Sequence, residues 1–110
     1  MARYMTQFAY TAEAWAALAK NPVDRSQAFG ELAQRLGGRL ESLYYCYGEY
    51  DGVLIFEAPD DTTAAATIIA AVSPGHVKAV KTTRLLTVDE AMEAMRKAGT
   101  ATYQAPSASS

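Results

Sequence analysis

Residues Leu43–Asp61, LYYCYGEYDGVLIFEAPDD, decide the fold. Leu43 to Tyr47 is aromatic-rich and suits a pleated surface. Gly48-Glu49-Tyr50-Asp51-Gly52 carries two glycines and an aspartate, residue types that tolerate positive φ in short connections. Val53 to Phe56 is a continuous apolar run. Pro59-Asp60-Asp61 then stops the strand and offers a helix cap. The stretch reads as strand, turn, strand and the start of a helix.

Working outward, Arg39 to Tyr47 and Gly52 to Ala58 are the second and third strands. Upstream, Arg3 to Tyr10 is the first strand, with Tyr4, Thr6, Phe8 and Tyr10 on one face. Thr11 caps a helix from Ala12 to Lys20 with the stripe Trp15, Leu18 and Ala19. Asn21-Pro22 breaks it. A further helix from about Val23 to Leu36 has Phe29, Leu32, Ala33 and Leu36 on one face, with Arg25, Glu31 and Arg35 elsewhere. Gly37-Gly38 ends it.

Downstream, Asp60 or Asp61 caps a helix from about Thr62 to Ser73, whose apolar face is read as Ala65, Ile68, Ile69 and Val72. After Ser73-Pro74-Gly75, His76 opens the fourth strand, Val77 to Leu86. Thr87-Val88-Asp89-Glu90 fits a capping box ahead of a last helix striped by Val88, Ala91, Met92 and Met95. Residues 1 to 99 form one domain. The Ala/Ser/Pro-rich tail from Thr100 to Ser110 lacks the apolar periodicity of a packed element and is read as flexible.

The order β-α-β-β-α-β plus a terminal helix predicts an α+β fold, a ferredoxin-like four-stranded antiparallel sheet with helices on one face. The third strand is apolar on both faces, whereas a half-solvated sheet alternates. A second copy packed sheet to sheet would cover the open face and make a dimeric α/β barrel. The alternative cover is the last helix folded over its own sheet.

Gly48-Glu49-Tyr50-Asp51, followed by VLIFEAPDD (Val53 to Asp61), resembles the GYD-domain family. Leu36-Gly37-Gly38 and Val80-Lys81-Thr82-Thr83-Arg84 are similar to it too. The resemblance covers roughly residues 4 to 87. It implies a dimeric α/β-barrel fold and leaves activity open.

The 110 residues carry a formal net charge of −2, without the basic excess of a nucleic-acid binder. One cysteine, Cys46, permits no internal disulfide. No apolar stretch approaches the roughly 20 residues of a membrane helix, and no apolar signal region follows the N-terminus. The chain is read as cytoplasmic, with no membrane or nucleic-acid partner. Its partner is itself, as a homodimer or higher homo-oligomer, with a small molecule as the other candidate.

There is no Gly-rich phosphate loop, Cys-x-x-Cys, His-Glu-x-x-His or Gly-x-Ser-x-Gly. No cofactor and no metal are expected, since one histidine and one cysteine do not make a common zinc site. Glu57 shares a strand face with Val53 and Ile55. Burial there would raise its pKa and suit it to acid or base work, unless Arg84 or Lys81 pairs with it. Tyr45 and Tyr47 are candidates to line a cavity with Glu57, and His76 to stand at its mouth as a proton carrier. Tyr44 and Tyr50 complete the aromatic group. Gly48, Tyr50 and Asp51 are structural, with Asp51 holding the turn. Cys46 is expected to be a buried, unreactive thiol.

Two functions follow. One is a small-ligand-binding or regulatory module. The other is a cofactor-independent oxygenase or isomerase acting on a small aromatic or lactone-like compound. Glu57 or His76 facing an empty apolar volume would favour the enzyme.

Overall fold

Every helix starts at a side chain that accepts a hydrogen bond from the exposed amides of the first turn. In a computed structural model describing residues 1–106, Thr11 caps α1 (Ala12–Lys20), Asp24 caps α2 (Arg25–Arg35) and Asp60 caps α3 (Asp61–Val72). Thr87 caps α4 (Val88–Gly99) in a full capping box with Glu90. At the far end of α2, Gly37 takes φ 84°. This lets the Gly38 amide reach the Ala33 carbonyl at 2.8 Å and the Gly37 amide reach Gln34 at 3.0 Å. That double closure needs a left-handed residue at Gly37.

The strands are β1 (Ala2–Tyr10), β2 (Arg39–Tyr45), β3 (Gly52–Ala58) and β4 (Val77–Leu85). They form one antiparallel sheet in the order β2-β3-β1-β4, the ferredoxin-like arrangement. β2 stops at Tyr45, two residues short of the predicted end, because the Cys46 amide turns back to the Asp51 carbonyl at 2.8 Å. Cys46 therefore lies in the turn and is exposed, not buried.

Strict alternation would put Leu40 and Leu43 on opposite faces. The register instead shifts between Leu40 and Ser42, pairing Leu40 with Phe56 and Leu43 with Leu54. This irregularity at Glu41 brings both leucines to the helix side. The core there is built on Phe56, which is fully buried, with Tyr4, Phe8, Tyr10 and Leu54 around it. Tyr4 stacks on Phe56 at 5.3 Å, and Phe29 of α2 meets Phe56 edge-on at 5.5 Å.

α3 is rotated from its predicted face. Ala64 and Thr67 are the residues it buries, while Ala65 and Ile69 are exposed. A buried threonine is tolerated because its hydroxyl donates to the Thr63 carbonyl at 2.8 Å.

α4 has no extended packing against any other element. It does not fold over the open face of its own sheet, and Val88, Met92 and Met95 of its stripe are exposed. The radius of gyration is 18.2 Å, against about 13 Å for a compact chain near this length. Beyond α4, Ala101–Pro106 is exposed and without regular structure. The rest of the predicted tail lies outside the described residues.

Candidate functional site

α2 and α3 cover the β2–β3 half of the sheet and leave a cleft of about 270 Å³ beneath them. Phe8, Leu43 and Leu54 of the sheet, Phe29 and Leu32 of α2 and Ile68 of α3 give it an apolar lining. Thr6 is its buried polar residue, and its hydroxyl is satisfied at 2.8 Å by that of Thr82.

Polar groups gather where β1 ends and β4 begins. Tyr10 pairs with Val77 across the ladder, so His76 arrives beside it, and their rings lie 6.2 Å apart. Arg25 opens α2 and also borders the cleft. Burial lowers the His76 pKa, and the Arg25 cation lowers it further. The Tyr10 phenol is raised well above its usual value, first by burial and then by the Tyr45 hydroxyl 3.2 Å away.

The hairpin turn anchors this cluster. Asp51 Oδ2 accepts from the Tyr10 amide at 2.9 Å and from the Trp15 indole at 3.0 Å. Trp15 meets the Tyr10 ring edge-on at 5.2 Å. Asp51 thus ties β1 and α1 to the turn, rather than only the turn to itself. Gly48 supplies φ 137° inside that turn, and the Tyr50 carbonyl accepts from the Cys46 thiol at 3.4 Å.

His76 borders the cleft. Tyr45 stands behind the lining, touching it through Tyr10 and Phe8. Tyr47 is 99% exposed in the turn, and Tyr44 pairs with Val53 on the opposite face. Glu57 is also on that opposite face, where it meets Arg39 at 3.0 Å and Arg3 at 3.2 Å. Its pKa is lowered, chiefly by the hydrogen bond from Arg39, and not raised by burial. Neither Arg84 nor Lys81 is its partner; Arg84 instead sits 3.5 Å from Glu90 and 3.8 Å from Asp61. The reason is register, since Arg39 and Arg3 are the direct cross-strand neighbours of Glu57. Glu57 and His76 are therefore on opposite sides of the sheet.

The residues that spacing missed are Tyr10 and Arg25. Arg25 precedes Phe29 by four residues and Leu32 by seven, which places it on the apolar stripe of α2 and not off it. That spacing was the available signal. Among the described residues, no three His, Cys, Asp or Glu side chains come together as a metal site. No helix among them is long and apolar enough to cross a membrane.

The fold has solved counterparts. MtbAldR superposes with a TM-score of 0.58 at 15% identity over 78% of this chain, which spans about half (53%) of that protein. TTHA0845 from Thermus thermophilus gives 0.52 at 17% identity, covering 80% of this chain and 96% of the other. FFRP-DM1 gives 0.51 at 14% identity, covering 78% of this chain and all of the other. At these identities the likeness is one of fold. No curated protein sequence matches the chain. The GYD domain model does match, over residues 4–95, and the chain belongs to the GYD domain family.

Proposed function

We propose that this GYD-domain protein is a small-molecule-binding, regulatory module that works as a homodimer in the cytoplasm. The observation that carries the reading is the cleft: an apolar volume with Tyr10, Arg25 and His76 gathered on its border. Ligand sites commonly combine an apolar lining with a few convergent polar groups. Screening small organic compounds by amide and side-chain NMR tests it. Shifts should cluster at Phe8, Phe29, Ile68 and His76. Shifts confined to the open sheet face or the 46–51 turn would overturn it.

The second copy is supported by the open face. Met5, Val53, Ile55 and Tyr44 lie there, and Arg3, Arg39, Glu41 and Glu57 form a charge-balanced quartet beside them. Two positive and two negative groups cancel locally, so the face meets its own copy without net repulsion. The exposed stripe of α4 adds apolar area that a partner would cover.

Cofactor-independent catalysis is a second reading, favoured by His76. A lowered pKa keeps its imidazole neutral at pH 7, the form that accepts a proton. Against it, Glu57 is on the other face and supplies no carboxylate to orient that imidazole. Incubation of the unaltered protein with a compound that binds separates the two: a binder returns the compound unchanged, whereas an enzyme converts it and loses that turnover in His76→Gln.

A further inference from the structure

We infer that the ligand of this cleft is a small organic anion, a carboxylate on a one-ring or short-chain apolar body, held by the Arg25 guanidinium beside His76. The inference rests on the small-molecule reading of the same cleft and specifies its chemistry.

The charge pattern leads to it. The chain as a whole is slightly acidic, yet the ionisable residues bordering the cleft are Arg25, Arg35, His76 and the phenol Tyr10, with no carboxylate among them. Arg35 already has Glu31 at 4.0 Å. Arg25 is half-buried and has no acidic partner among the described residues. The Asp51 carboxylate is engaged by the Tyr10 amide and the Trp15 indole, and Asp24 by its capping bonds to Ser26.

A partly desolvated cation without a counter-ion is unfavourable, and a ligand that brings the counter-ion relieves that cost. Guanidinium presents two parallel N–H donors that match a carboxylate in one plane. Phe8, Phe29, Leu54 and Ile68 then receive the apolar remainder. About 270 Å³ lies just below the roughly 300–1,000 Å³ of sites for drug-sized ligands. A single ring or a short chain fits that volume, whereas a nucleotide does not.

Titration calorimetry with phenylacetate and hexanoate, against phenylacetamide and hexanamide, tests the inference on the full chain. Shape is nearly constant within each pair, while the amide removes the negative charge and replaces one acceptor oxygen with an NH2 donor. Each acid should bind at least about tenfold more tightly than its amide, the scale of a charge-assisted hydrogen bond. Arg25→Gln should weaken the acids far more than the amides and so erase most of the difference, while Arg25→Lys keeps part of it. Equal affinity of acid and amide in the unaltered protein would overturn the anion inference and leave the small-molecule reading standing. That comparison needs no variant, so a misfolded Arg25→Gln does not protect the idea. If no probe binds, the inference is overturned, and the NMR screen decides the broader reading separately.

Discussion

The Asp51 carboxylate accepts the Trp15 indole N–H at 3.0 Å, joining the hairpin turn to the first helix. The same oxygen holds the Tyr10 amide at 2.9 Å, so one side chain secures the border of the cleft. Asp51→Ala leaves the Tyr10 amide without its acceptor and should cost about 1–3 kcal/mol in urea unfolding. Asp51→Asn keeps an acceptor and should lose less than half of that. An alanine variant as stable as the parent would show that water replaces the carboxylate.

Gly52 is directly opposite Phe8 in the ladder, and a Cβ at Gly52 would run into the Phe8 ring. The glycine makes room for the aromatic ring over the strand. Gly52→Ala should therefore destabilise by about 1–3 kcal/mol through overpacking. Pairing it with Phe8→Leu should recover part of the loss. Additive losses in the double variant would mean the two sites do not interact.

Glu57 predicts a pH dependence. Its folded pKa lies below the ordinary 4.5 because Arg39 and Arg3 favour the carboxylate. A depressed carboxylate contributes stability above its unfolded pKa and loses it as pH falls through the folded one. The stability gap between the parent and Glu57→Gln should be constant near neutrality and shrink below about pH 4.5. Denaturant midpoints from pH 3 to pH 7 measure it. Since Glu57 faces away from the cleft, ligand affinity should not change.

Ile55 tests the assembly. It is half-buried on the open face, between Met5 of β1 and Ser42 of β2. Ile55→Lys would place an unpaired charge in a sheet-to-sheet interface, which costs several kcal/mol. Light scattering at low micromolar concentration should show a dimer, or a larger assembly built from it, for the parent and a monomer for the variant. A well-folded monomeric parent would sink the dimer.

The candidate site is legible in the sequence only in parts. His76 stands out as a lone histidine after Pro-Gly, and the β1–β4 pairing then places it on the cleft. Arg25 reads as lying off the apolar face, although its spacing to Phe29 puts it on that face. Tyr10 reads as one residue of an alternating strand, and its role depends on Tyr45, which is 35 positions away. Such pairings follow from strand register, to which local periodicity is blind.

By itself, the sequence determined the order of the elements, the caps at Thr11, at the Asp60-Asp61 pair and at Thr87, and the antiparallel α+β class. Those rest on interactions within a few residues: Thr87 with Glu90, Gly37 after Leu36, and Asp60 before the third helix. Only the tertiary structure decided which side of the sheet each functional group serves. The register shift at Glu41 carries Leu43 to the core. Cross-strand pairing commits Glu57 to Arg39 and Arg3, and the return of β4 brings His76 to Tyr10. A one-residue slip moves every side chain of a strand to the other face, so these placements are set by long-range packing and not by neighbours in the chain.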